Sequence, residues 1–186
     1  MSNAPLYLGI DFGTTNSSLA YVYPDPRFLK SQSIPVKALQ ITMDEENQIT
    51  AERMPTLLST RFDDKRAKGF LRGWEFFQQF GRRKKGPLLR RGHDLFASVK
   101  SDLGSHRVYA NAKSAECNTP QKVATSILKA LLAEAGKSLP SFDAGQIRTV
   151  ITVPASLNAE ARRETRAAAT GRADGVGSRP RRLCAQ

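Results

Sequence analysis

The sequence predicts an α/β fold, a mixed sheet with flanking helices, and three stretches predict it. Residues 6–23 form two apolar, strand-like runs joined by the polar link Gly13-Thr14-Thr15-Asn16, whose residue types build hairpin turns. Thr119-Pro120 opens a helix, because a threonine N-cap with proline at the first helical position is a start signal. Val123, Ile127, Leu128, Leu131 and Leu132 then recur with helical period. Residues 147–153 are a β-branched run bounded by polar residues and Pro154, which suits a buried strand.

The hairpin carries the chemistry. Glycine lets the backbone take angles closed to other residues and lets a ligand come close. Thr14 and Thr15 offer hydroxyls and backbone N–H groups at the tip, where an anion can sit. Asp11, at the end of the first strand, would repel a phosphate there unless a cation lay between them. Mg²⁺ suits that role, since it keeps most of its waters and bridges carboxylate and phosphate oxygens. The residues therefore read as a Mg-nucleotide phosphate hairpin, with an ordinary hairpin as the alternative. Asp11-Phe12-Gly13 also occurs in protein kinases, but there it follows a glycine-rich loop, a lysine strand and a catalytic loop. None precedes it here, and the kinase reading is rejected.

Further along, residues 36–42 and 48–51 read as strands about a turn at 43–47, and residues 54–59 as another short strand. In residues 61–97, Phe70, Leu71, Trp74, Phe76, Phe77 and Phe80 fall at near-helical spacing, so an amphipathic helix is expected, followed by a basic loop over 82–91. Clustered Lys/Arg can bind phosphate backbones. No recognition motif accompanies them, so a solvated insertion packed through its aromatic face is preferred and nucleic acid is not the expected partner. His93 and His106 have no cysteine or carboxylate set at metal-ligand spacing and read as surface residues, and Cys117 as incidental. The second helix should end at Ala135-Gly136, with a loop over 138–145. A third helix should follow over 158–169, with Asn158 as N-cap.

A chain of 186 residues can hold one domain with a real core. The net charge of +12 is localised: residues 65–91 hold ten Lys/Arg and one acid, and residues 162–186 seven Arg and two acids. The basicity belongs to those segments and bears on non-specific binding, not on architecture. No run approaches the roughly 20 apolar residues of a membrane span, and the N-terminus lacks the pattern of a signal peptide. Two cysteines, Cys117 and Cys184, make no disulfide framework, so a cytoplasmic setting is expected.

Three segments resemble one family. Ile10–Ser17, I-D-F-G-T-T-N-S, is similar to the first phosphate hairpin of the actin-like (ribonuclease H-like) ATPases. Thr149–Thr165, T-V-I-T-V-P-A-S-L-N-A-E-A-R-R-E-T, resembles a segment of the heat shock protein 70 (DnaK-type) chaperones. Ser98–Gly104, S-V-K-S-D-L-G, resembles that family's segment bearing a catalytic lysine. The order is the family's, and residues 1–170 correspond to the first lobe of its nucleotide-binding domain. The resemblance implies ATP and Mg²⁺ as cofactors. Asp11 would hold Mg²⁺ through water, and Gly13, Thr14, Thr15 and Asn16 would bind the phosphates. Lys100 would act in catalysis. Pro154 and Arg162 would relay nucleotide state towards a peptide-binding domain. It also implies that the strand at 147–153 pairs parallel to the first. Ser156-Leu157 departs from the family's usual aromatic pair.

From residue 171 the chain turns glycine- and arginine-rich without apolar periodicity, which is a disorder-like composition. A truncated or frameshifted tail is expected there, leaving the fold incomplete at its C-terminus and the 147–153 strand as a sheet edge. The expected function is the ATP-binding part of a chaperone. Hydrolysis coupled to protein folding, with clients and co-chaperones, would belong to a full-length form, and this chain alone would be inactive. Two alternatives are a non-catalytic basic interaction module for an acidic partner and a sugar-kinase or cell-division relative of actin. The latter lacks the Val153-Pro154-Ala155 and Asn158 pattern followed by arginine.

Overall fold

Strand β1 (Leu6–Phe12) organises the principal sheet, because its alternation buries Leu6, Leu8, Ile10 and Phe12 and turns Tyr7 and Asp11 outward. The computed structural model describes residues 5–22, 35–44, 48–63, 66–81, 89–139 and 147–170. After β1 come β2 (Asn16–Val22), β3 (Lys37–Ala38), β4 (Ile41–Asp44), β5 (Ile49–Ala51), β6 (Arg53–Pro55), β7 (Leu57–Asp63) and β8 (Arg66–Arg72). Helix α1 (Trp74–Gly81), β9 (Leu95–Ala97), a 3₁₀ turn (Val99–Asp102), α2 (Pro120–Ser138), β10 (Ile147–Thr152) and α3 (Ala159–Thr170) follow.

The molecule is a mixed α/β structure. Its main sheet has the order β10-β1-β2-β3, with β6 also on β2. β10 runs parallel to β1, from Leu6↔Ile147 to Asp11↔Thr152, and the other pairings are antiparallel. Among the described residues β10 is an edge strand. A parallel pair requires a crossover, and α2 lies on the path between them. α2 buries Val123, Ala124, Ile127, Leu128, Leu131 and Ala135, which join Leu8, Ile10, Phe12 and Leu19 in one cluster. Each such large aliphatic side chain contributes about 1.5–3 kcal/mol on full burial. The Thr119 side chain accepts from Lys122 N at 3.3 Å, the expected N-cap. The helix runs to Ser138, past Gly136, because one glycine weakens a helix without ending it. α3 packs on α2 and is capped by Asn158 Oδ1, which accepts from Ala161 N at 2.7 Å.

Two expectations are corrected. The aromatic segment is not one helix: Phe70 and Leu71 lie in β8, which pairs with β7, and α1 begins only at Trp74. Gly73 separates them at φ +52°, where a Cβ would stand 2.2 Å from Met54 Cγ. The strand expected at 54–59 is also divided at Thr56, with β6 joining the main sheet and β7 a second sheet of order β8-β7-β9. The near-helical spacing of the aromatics ran across a strand–helix boundary, and pairing of Phe70 and Leu71 with β7 made the first part strand. Residues 82–88 of the basic loop expected at 82–91, most of the 138–145 loop and the tail from 171 lie outside the described residues. No described helix is long and apolar enough to cross a membrane.

Candidate functional site

The β1–β2 hairpin requires glycine at its tip. A Cβ at Gly13 would stand 2.1 Å from Asn16 O, so any side chain would break the turn. Thr14, Thr15 and Asn16 are exposed there. The tip is braced from β6–β7: Thr56 N donates to Thr15 O at 2.8 Å, and the buried Ser17 and Thr56 hydroxyls are bonded at 2.7 Å. A cavity of 310 Å³ opens beside it, walled by Thr14, Thr15, Pro55, Leu57, Trp74 and Phe77.

Asp11 is exposed one residue before the strand ends. The parallel register sets Thr152 opposite it, and Thr152 Oγ1 donates to Asp11 Oδ1 at 3.1 Å. Lys100 comes from the 3₁₀ turn, 88 residues on from Phe12, and is buried at 7% exposure. Its Nζ donates to Phe12 O, the carbonyl immediately before Gly13. Burial lowers the Lys100 pKa, and the Asp11 charge opposes that shift. The structure thus gathers Asp11, the residues 13–16 and Lys100 at one end of the sheet.

Pro154 and Arg162 lie beyond the end of β10. Pro154 is exposed, and Arg162 reaches back from α3 to clasp the intervening turn, with Nε on Leu157 O at 3.0 Å and Nη2 on Ala155 O at 2.7 Å. Neither has a described hydrogen bond to Asp11 or to the hairpin tip. The Lys100 turn is instead seated on α3 through Gly104, whose N–H donates to Glu164 Oε2 at 2.7 Å. Thr56, Thr152 and Glu164 are therefore part of the arrangement, although no sequence signal singled them out.

His106 is exposed, as a surface residue should be, and His93 is less so. One ring nitrogen of His106 and one carboxylate oxygen each of Glu160 and Glu164 lie within 4.8 Å of one another, although His106 is far from both in sequence. Both carboxylates are already engaged, Glu160 by Arg163 and Glu164 by Gly104 N. His93 is half-buried and bonded through Nδ1 to Asp94 Oδ1 at 2.7 Å. Cys117 is buried and free, and burial pushes its thiol pKa up.

No family model matches the chain, and no curated protein matches it. Among solved structures, a non-polymerising mutant of MamK bound to AMPPNP is similar at 15% identity with a TM-score of 0.49. The match covers 91% of this chain and 39% of that one, so the chain spans about two fifths of the length of the structure it matches.

Proposed function

We propose that this chain supplies the first phosphate-binding hairpin and the catalytic lysine of a Mg-ATP site of the actin-like kind, as in the heat shock protein 70 chaperones. The observation that carries the proposal is the position of Lys100. A lysine so distant in sequence is buried against the carbonyl that precedes the glycine-threonine tip. Its ammonium has three donors, and the described residues accept from one of them. A phosphate at the tip would accept from the others.

In this reading Gly13, Thr14, Thr15 and Asn16 hold the phosphates through backbone N–H groups and hydroxyls. Lys100 faces the charge that grows on the transferring phosphoryl and orients the attacking water. Asp11 suits Mg²⁺ through water: it is a hard oxygen donor, exposed and steadied by Thr152. Bound Mg²⁺ would neutralise phosphate charge. Arg162, clasping the turn after Pro154, supports the relay to α3, and the Gly104–Glu164 bond ties the Lys100 turn to the same helix. Coupling of hydrolysis to protein folding, with clients and co-chaperones in the cytoplasm, would belong to a longer chain. The Val153-Pro154-Ala155 and Asn158 pattern followed by Arg162 favours the chaperone family over other actin relatives.

An ATPase that works by positioning needs groups on both sides of the nucleotide, and the described residues furnish one side. Binding in the millimolar range and negligible turnover are expected. The test is an NMR titration with Mg-ATP. Amide shifts should centre on residues 13–16, vanish with EDTA, and weaken about tenfold or more in Lys100→Met, which keeps the volume and removes the charge. Shifts confined to other surfaces, or a Lys100→Met titration equal to that of the wild type, would overturn the proposal.

A further inference from the structure

A second concave site lies away from the hairpin. Arg90, Arg91, His93, Arg107 and Tyr109 line a cleft of 590 Å³, within the usual range for small-molecule sites. Arg90, Arg91 and Arg107 are exposed. Among the described residues no carboxylate pairs with Arg90 or Arg91. Arg107 is shared with Asp102 at 2.9 Å.

The arginines stand on a preorganised turn. Arg90 O accepts from the N–H groups of His93, Asp94 and Leu95 at 3.1, 2.9 and 3.2 Å, and Gly92 closes the turn at φ +74°. The buried Asp94 anchors it from below, accepting from His93 Nδ1 at 2.7 Å and from Lys113 Nζ at 3.0 Å. With Nδ1 donating to Asp94, His93 Nε2 is left to accept, and it does so from Arg90 Nη2 at 3.0 Å. A chain from a buried carboxylate through an imidazole thus aims one guanidinium. Its neighbour Arg91 reaches Ala97 O at 3.5 Å. Tyr109, also in the lining, is fixed too: its N–H donates to Asn118 O at 2.8 Å, and its OH donates to Asp102 Oδ2 at 2.7 Å. The turn and Tyr109 are thus both held by bonds within the protein.

We propose that this cleft binds a phosphate-bearing anion of at least two charges, a pyrophosphate-type group, through the Arg90 and Arg91 guanidiniums and without a metal ion. Guanidinium is planar and forked, which matches phosphate oxygens bidentately. Two cations without acidic partners among the described residues set the charge of the guest, and Arg107 contributes less because Asp102 holds it. The site uses none of the residues assigned to the Mg-ATP hairpin.

The test is titration calorimetry with inorganic pyrophosphate in EDTA, which silences the Mg-dependent hairpin. Wild type and Arg148→Ala, an exposed arginine on β10, should bind alike. Arg90→Ala/Arg91→Ala should bind about tenfold or more weakly, with an unchanged melting temperature because both side chains are exposed. ADP in EDTA binding like pyrophosphate would identify a nucleotide as a source of the group, and pyrophosphate binding without ADP an inorganic one. No binding by wild type, equal binding by the double variant, or binding of a single-stranded oligonucleotide without pyrophosphate would overturn the proposal.

Discussion

Replacing Gly104 by alanine should loosen the Lys100 turn from α3. Gly104 has φ +76°, and a Cβ built on it would stand 2.5 Å from Ala161 N and 2.9 Å from Ala161 Cα and Cβ. Optimal separation is about 3.5–4.0 Å, so turn and helix must part by about 1 Å. The obstacle is helix backbone, which cannot rotate aside. Left-handed φ costs a non-glycine residue about 1–2 kcal/mol, and overpacking typically costs about 1–3 kcal/mol. If the turn moves to relieve the clash, the bond from Gly104 N to Glu164 is lost, and hydrogen bonds to charged groups are worth about 1.5–3 kcal/mol. Clash and bond loss substitute for one another, so the expected destabilisation is about 2–5 kcal/mol. For a chain of this size the melting temperature should fall by at least about 4 °C. Gly136→Ala is the control: it lies in α2 with nothing within 4 Å of its Cβ, and alanine there should stabilise by about 0.5–1 kcal/mol. Thermal unfolding followed by circular dichroism measures both, and hydrogen exchange at residues 99–104 locates the loosening. A Gly104→Ala melting temperature equal to wild type, or raised as in Gly136→Ala, would refute the packing argument.

Two further predictions concern pH. Burial holds Lys100 below its ordinary value of 10.5, so between its folded value and 10.5 the unfolded chain binds more protons and stability rises with pH. Wild type should therefore gain stability relative to Lys100→Met as pH climbs from neutral towards 10.5, and urea midpoints that keep a constant difference count against a buried cation. On the acid side, burial raises the Asp94 and Glu134 carboxyls. Hydrogen bonds from Lys113 and His93, and from Lys137 and the Thr42 backbone, outweigh it and leave them below 3.8 and 4.5. Their contribution is present above those values and lost as pH falls through the lower folded ones. Asp94→Asn and Glu134→Gln should each flatten the acid limb of a stability profile, and a limb as steep as that of the wild type would exclude the pair concerned.

The elements legible in the sequence were those specified locally. Gly13-Thr14-Thr15-Asn16 is a turn by residue type, Thr119-Pro120 a helix start, and Asn158 a cap that the structure contains atom for atom. The alternation of residues 6–12 needed only the two-residue period of a strand. The aromatic segment failed because its near-helical spacing spanned a strand and a helix, and Gly73 alone marked the break. The division at Thr56 left no trace because both halves are strand, and only their partners differ.

By itself the sequence determined the hairpin turn, the strand alternation of residues 6–12 and the starts of α2 and α3. Those properties depend on neighbours within a few positions. Only the tertiary structure decided that Lys100 is buried on Phe12 O, that Thr152 steadies Asp11 across a parallel register, and that His93 aims Arg90 from a buried carboxylate. Each of those depends on strand pairing or packing between segments that no local period relates, so the residue type was visible beforehand and its environment was not.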